Sequence, residues 1–331
     1  MELKEKMHNM KKALCIGIDS YESLNDLHGC VNDANEVKIV LERNGDGTKN
    51  FDVKLLTATS ESSYITRSNM KDAIIELFHG DNEISLLYFA GHGAIDEYGG
   101  YICSSECKRE DDGLSLDEVM SIVSKSKSKN KVIILDSCFS GNIGVMFEMK
   151  NYSILKEGTT LLAACGNDEY SSEENGHGVF TSLMVEALYG GAMNLLGHVT
   201  PAGVYSYVDQ SLDAWEQRPV FKANIKEFIC LRKNNPLIQL GELHRISEIF
   251  KLDSDEFQLD PSYEPDKHES DDKTVNKDHE EIFSILQKYV RLGLVIPVGE
   301  EHMYYAAIHS KSCKLTAQGQ HYWKLVKENK I

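Results

Sequence analysis

Three things are missing from this 331-residue chain. It has no apolar run near the roughly 20 residues that a helix needs to cross a bilayer, so a membrane is not an expected partner. It has no basic surplus: 35 Lys and Arg stand against 52 Asp and Glu, a formal net charge of −17. Nucleic-acid binding depends on cations that neutralise phosphates, so nucleic acid is not an expected partner either. It also has no cysteine framework. Cys15, Cys30, Cys103, Cys107, Cys138, Cys165, Cys230 and Cys313 show no disulfide spacing. The closest pair, Cys103 and Cys107, has no second pair to complete a zinc site. Seven of the eight read as small packing hydrophobes. Cys138 stands apart. No internal repeat is evident. The first residues, "MELKEKMHNMKKALCIGI", mix charges and pass into a strand pattern, unlike a secretory signal or transit peptide. A cytoplasmic location is the default expectation.

What is present is an alternation. Hydrophobic residues make up 41% of the chain, which supports a sizeable core. Apolar runs "KALCIGI", "FDVKLLTA", "EISLLYFAGHG", "KVIILDS" and "GTTLLAAC" read as strands. Between them, "GCVNDANEVKIVLERNG", "SNMKDAIIELFHG" and "SLDEVMSIVSKSK" carry helical spacing, the last with a Ser cap. "VFTSLMVEALYGG" and "PAGVYSYVDQSLDAW" follow as helices, and "RPVFKANIKEFICL" supplies the last strand. Strands alternating with helices predict an α/β sandwich of three layers around a mainly parallel sheet. Apolar strands without polar alternation fit a sheet covered on both faces.

The alternation stops near Arg232, which sets a first domain over 1–232. "NPLIQLGELHRISEIF" reads as a helix, and the acidic stretch from "KLDSDEFQLDPSYEPDKHES" onward as a polar linker, together spanning 233–278. In 279–331, "EIFSILQKYVRLGLVIPV" predicts a helix and a strand, "HMYYAAIHS" a second strand and "KLTAQGQHYWKLVKEN" a helix. That order implies a small α+β, winged-helix-like module. Its lysines, Lys311, Lys314, Lys324 and Lys327, form no dense stripe for DNA, which favours docking to a protein. His309, His321 and Trp323 read as core or rim residues.

Functional groups in open α/β sheets collect beyond the carboxyl ends of strands. Two strand ends are chemically unusual. "YFAGHG" sets His92 between Gly91 and Gly93, and "ILDSCFSG" sets Cys138 after Asp136 and Ser137. A thiol, an imidazole and backbone donors between glycines are what cysteine proteolysis requires.

These two motifs resemble the caspase-like family of cysteine proteases, nearer its metacaspase and bacterial branches than animal caspases. "GIDSYESLNDLHGCVNDA" and "LLAACGNDEYSSEENGHGVFTSLMVEAL" extend the resemblance over about residues 10 to 230. The spacing from His92 to Cys138 is close to the roughly 50 residues of caspases. The resemblance implies a caspase-like fold, with Cys138 as nucleophile and His92 as the proton carrier. It also implies an oxyanion hole from the backbone N–H groups of Gly93 and Cys138. Asp33 and Asp136 take the positions that line the primary specificity pocket in metacaspase-like enzymes. Two carboxylates there would select a basic side chain, Arg before Lys, and reject an acid. Ala90 stands where many metacaspases have Ser, so the pocket lacks one hydroxyl.

Calcium-dependent members carry an acid soon after the Cys, whereas "CFSGNIGVMFE" has none before Glu148. Asp96, Asp111 and Asp112 remain as candidate calcium ligands, but the expectation is that no cofactor is required. Lys150 and Lys156 are candidate self-cleavage points after the Cys. The expected partners are a protein substrate with Arg or Lys before the cut and an activating sensor protein docked on the C-terminal module. Relatives of this kind resemble triggered effectors of bacterial antiviral defence or regulated cell death. The alternatives are a catalytically silent caspase-fold scaffold and a winged-helix regulator. The intact His92 and Cys138 favour the endopeptidase.

Overall fold

A computed structural model describes residues 10–96, 99–109, 112–137, 139–140, 155–164, 173–174, 176–212, 218–265 and 276–331. The chain divides into two compact units, Met1–Asn235 and Pro236–Ile331.

The first unit begins with β1 (Lys11–Ile18), α1 (Cys30–Glu42), β2 (Phe51–Ala58), α2 (Arg67–His79) and β3 (Ile84–Ala90). A small sheet follows from β4 (Gly93–Asp96), β5 (Gly99–Ile102) and β6 (Leu114–Ser115), before α3 (Leu116–Lys125). Then come β7 (Asn130–Asp136), β8 (Phe139–Ser140), β9 (Thr159–Ala163), β10 (Glu173–Glu174) and β11 (His177–Gly178). The unit closes with α4 (Val179–Glu186), β12 (His198–Val199), α5 (Pro201–Ser211), β13 (Val220–Asn224) and β14 (Arg232–Lys233). The expected Ser cap of α3 is present, and α2 starts one residue before the quoted "SNM", capped by Thr66. Ser115 accepts the Glu118 N–H at 3.2 Å, and Thr66 accepts that of Asn69 at 3.1 Å.

The main sheet has six strands in the order β13-β9-β7-β3-β1-β2. Its strands are parallel except β13, which runs antiparallel on the edge beside β9. Alternation along β3 explains the layers. Leu87 and Phe89 join Leu14, Ile16, Met70 and Val119 on one face, under α2 and α3. Leu86, Tyr88 and Ala90 join Cys15, Val37, Met184 and Val204 on the other, under α1, α4 and α5. A strand buried on both faces must be apolar at every position, which is why "ISLLYFA" shows no polar alternation.

The second unit holds α6 (Leu240–His244), α7 (Ile246–Ile249), β15 (Glu256–Gln258), α8 (Lys277–Arg291), β16 (Val295–Val298), α9 (Met303–Ile308), β17 (Ser312–Leu315) and α10 (Ala317–Lys327). Its three strands are antiparallel in the order β15-β17-β16. Two expectations are corrected here. "HMYYAAIHS" is the helix α9, not a strand: its buried residues are Met303, Ala306 and Ala307, a helical period that the adjacent tyrosines mask. The strand follows it, so β16 and β17 pair across a helix rather than as a two-stranded wing. The start of the acidic stretch is not a linker. Phe257 and Leu259 turn inward at strand period, Phe250 and Tyr263 are buried, and Trp323 Nε1 donates to the Phe250 carbonyl at 2.7 Å. Single apolar residues spaced among acids anchored that segment without raising its average hydropathy. His309 is a rim residue, with Nδ1 2.8 Å from Glu300 Oε1.

Candidate active site

Parallel pairing brings the two unusual strand ends together. β3 and β7 are neighbours, with Ala90 opposite Asp136. Beyond the strands the pairing resumes between β4 and β8, with Gly93 opposite Phe139. His92 is two residues past Ala90, and Cys138 is two residues past Asp136. Cys138 itself lies outside the described residues. The chain is nevertheless in register on both sides of the two positions.

His92 is half-buried and held at both ends by one loop. Its backbone N–H donates to Tyr21 Oη at 2.8 Å, and the two rings are 4.7 Å apart. Its Nε2 is 2.7 Å from the carbonyl oxygen of Asn25. A carbonyl only accepts, so Nε2 carries a hydrogen, and in the neutral ring Nδ1 is the nitrogen that can take a proton. The loop is fixed in turn: Tyr21 N–H donates to Asp26 Oδ1 at 3.0 Å, Glu22 N–H to Ser105 O at 2.8 Å and Leu27 N–H to Asp19 O at 2.8 Å. Gly91 has φ of +157°, and a Cβ there would stand 2.6 Å from Tyr21 Oη. Only glycine permits that approach.

The predicted acids also converge. Asp33 lies in the first turn of α1 and is 2% exposed, while Asp136 ends β7. A Cβ built on Gly178 would sit 3.0 Å from Asp136 Oδ2 and 3.1 Å from Asp33 Oδ2, so both carboxylates reach one point from different elements. Asp33 Oδ2 accepts the Gly178 N–H at 3.0 Å, and Asp33 Oδ1 is 2.9 Å from His177 Nδ1. Thr181 Oγ1 donates to Asp136 Oδ2 at 2.5 Å. That spends the Thr181 proton, so the buried Tyr88 hydroxyl donates to Thr181, 2.6 Å away. Burial and the facing Asp136 raise Asp33 to about 7, against the pull of Gly178 and His177. Burial raises Asp136 to about 6, opposed by Thr181. A positive charge brought between the two acids would favour their ionised forms.

Ala90 is buried beside Asp136 and packs within the core cluster of its face. Gly93 is buried in β4, paired with Ile102 as well as Phe139. Of the candidate calcium ligands, Asp96 Oδ1 accepts the Gly99 N–H at 2.7 Å, Asp112 Oδ2 accepts the Arg109 N–H at 3.2 Å, and Asp111 lies outside the described residues. Among the described residues, no group of three or more His, Cys, Asp or Glu could hold a metal ion. Lys150 lies outside the described residues; Lys156 is exposed and donates to Ser124 O at 3.1 Å. No helix among the described residues is long and apolar enough to cross a membrane. Tyr21, Asn25, Tyr88, His177 and Thr181 were not singled out from the sequence. All five stand inside the quoted segments, but only the fold shows what each side chain or carbonyl touches.

The model of the family described as "Caspase domain" matches residues 10–228. The chain belongs to the caspase-domain family. Its six-stranded, mainly parallel sheet with helices on both faces is the caspase-like α/β fold. Metacaspase-1 of Candida albicans is 30% identical over 166 residues, 44% of this chain and 37% of that protein. Metacaspase-6 of Arabidopsis thaliana is 32% identical over 147 residues, 40% of this chain and 39% of the relative. The caspase-domain chain thus matches well under half the length of these curated relatives. Among solved structures, a Geobacter sulfurreducens protein covers 68% of this chain and 98% of its own at 19% identity, TM-score 0.49. Caspase-1 from Spodoptera frugiperda covers 69% and 91% at 15% identity, TM-score 0.49.

Proposed function

We propose that this caspase-domain chain is a cysteine endopeptidase that cuts after basic residues, Arg before Lys. The observation that carries the proposal is the convergence of Asp33 and Asp136 on one point, Asp136 standing two residues before Cys138 in the chain. A guanidinium between them would relieve the ionisation penalty that both acids carry, whereas an aspartate side chain would add a third negative charge.

In the proposed reaction His92 Nδ1 takes the proton of the Cys138 thiol, and the thiolate so formed attacks the scissile carbonyl carbon. The carbonyl oxygen gains charge against the N–H groups of Gly93 and Cys138. As the C–N bond breaks, His92 Nδ1 gives a proton to the departing amine and leaves a thioester. Water then adds to the thioester as His92 Nδ1 takes its proton, and the C–S bond breaks with that proton returned from His92 to the Cys138 sulfur. Ala90 contributes no hydroxyl to the pocket. No metal or other cofactor enters any step.

Fluorogenic peptides with Arg, Lys or Asp before the cut test the proposal. Cleavage after Arg and Lys that is lost in folded Cys138→Ala and His92→Ala proteins is the expected result. Preference for Asp, or cleavage that survives Cys138→Ala, would sink it. A catalytically silent scaffold would cut none of the three. The second unit is proposed to receive an activating sensor protein, as in a triggered effector of bacterial defence or regulated cell death. Substrate trapping with full-length Cys138→Ala in host extract identifies the proteins concerned.

A further inference from the structure

Part of the acid slot is taken by the chain itself. Asp33 presents two oxygens. Oδ1 meets His177 Nδ1 at 2.9 Å and Oδ2 takes the Gly178 N–H at 3.0 Å. The His177 ring is also 3.7 Å from Glu36 Oε1, so it is held between two acids of α1. Its side chain is 27% exposed, while that of Asp33 is only 4% exposed. A ligand approaching Asp33 therefore meets a carboxylate already engaged by an imidazole. Asp136 is engaged from another element, by the Thr181 hydroxyl.

We propose that His177 is a specificity-determining residue: it occupies one side of Asp33, so that a guanidinium is accepted and an ammonium is penalised. The proposal rests on the basic-residue reading above and adds the residue that grades Arg against Lys. A carboxylate has about four lone-pair sites, and two on Asp33 remain after His177 and Gly178. A guanidinium is planar with five donors, so it can reach Asp136 and a remaining Asp33 site together while the His177 bond stays in place. An ammonium is a compact, strongly hydrated point charge. Its three donors diverge from one nitrogen rather than spreading along a plane, so in this proposal it draws Asp33 away from His177 when it pairs with both acids, or pairs with Asp136 alone. Either course loses one charge-assisted hydrogen bond.

Binding of three peptides to full-length Cys138→Ala protein, identical except for Arg, Lys or norleucine before the cut, tests this by calorimetry. Adding His177→Ala should tighten the Lys peptide about ten-fold and leave the Arg peptide within about two-fold, since one hydrogen bond to a charged group is at stake. His177→Asn, which keeps an N–H near the position of Nδ1, should restore the original Arg-to-Lys ratio. A residue that merely holds its hairpin would weaken both peptides together. An unchanged ratio, or equal weakening not rescued by His177→Asn, overturns the proposal. Should His177→Ala fail to fold, His177→Phe keeps the ring volume without the N–H and gives the same comparison. Norleucine bound as tightly as Arg by the His177 protein would overturn the basic-residue reading itself, and this proposal with it.

Discussion

The backbone N–H of His92 ends on the phenol oxygen of Tyr21, 2.8 Å away. Tyr21 is 5% exposed, and burial raises its hydroxyl well above its usual range, so it remains a neutral phenol. The contact fixes the backbone from which the imidazole projects, while the Asn25 carbonyl fixes the ring. Tyr21→Phe keeps the ring packing and removes only the acceptor. An orphaned buried N–H costs about 1–3 kcal/mol. In steady-state kinetics kcat should fall about ten-fold with KM little changed, because the lost contact bears on proton transfer rather than on the substrate side chain. An unaltered kcat would remove Tyr21 from the apparatus.

The acid pair should cost stability above neutral pH. Asp136 is raised to about 6 and Asp33 to about 7, so the folded chain binds more protons there than the unfolded chain does. Their contribution is fully present below the unfolded value of about 4 and is lost as pH rises through about 7. Asn at position 136 cannot ionise and still accepts from Thr181. Asp136→Asn should therefore stabilise the fold at pH 8 by about 2–3 kcal/mol, read as a higher melting temperature, and change little at pH 4. Equal melting at both pH values would show that Asp136 ionises freely.

The same protons oppose substrate. A guanidinium binds the ionised acids and must expel whatever protons they hold. Between pH 8 and pH 5.5, KM for an Arg peptide should rise roughly ten-fold, as expected for a binding group that titrates across that range. The affinity of a norleucine peptide should stay flat. A parallel rise for both peptides would assign the titration to some other group.

Much of this site was legible in the sequence, for identifiable reasons. β3 and β7 are buried on both faces, so "ISLLYFA" and "KVIILD" declare themselves as strands, and His92 and Cys138 follow at once. Asp33 and Asp136 were found by resemblance to a family. Nothing local in "NDA" or "LDS" says that the two acids meet; that follows from β1, β3 and β7 lying side by side. His177 and Thr181 were beyond reach because their roles depend on β11 and α4 passing over the ends of α1 and β7, a contact between distant segments. α9 was misread because Tyr304 and Tyr305 imitate strand composition, whereas burial at Met303, Ala306 and Ala307 follows the helix. Periodicity is a dependable guide where one face is buried and strongly apolar. It fails in a six-residue helix that offers two alanines and a methionine to its core.

Gly178 is where the slot can be closed by a single methyl. Its φ of −69° is open to any residue, so glycine is not there for backbone freedom. It is there for space: an added Cβ would lie 3.0 Å from Asp136 Oδ2 and 3.1 Å from Asp33 Oδ2, tighter than ordinary carbon–oxygen contact. An alanine would push the carboxylates apart or stand between them, in the volume that a substrate cation would fill. It would also place an apolar group against two acids that already resist ionisation, favouring their protonated forms. Gly178→Ala should thus raise KM for Arg and Lys peptides by about ten-fold or more, the loss of at least one charge-assisted contact. kcat at saturating peptide should change far less, because His92 is held from the separate loop of Tyr21 and Asn25. Wild-type KM in a folded Gly178→Ala protein would mean that the basic side chain binds elsewhere than between Asp33 and Asp136.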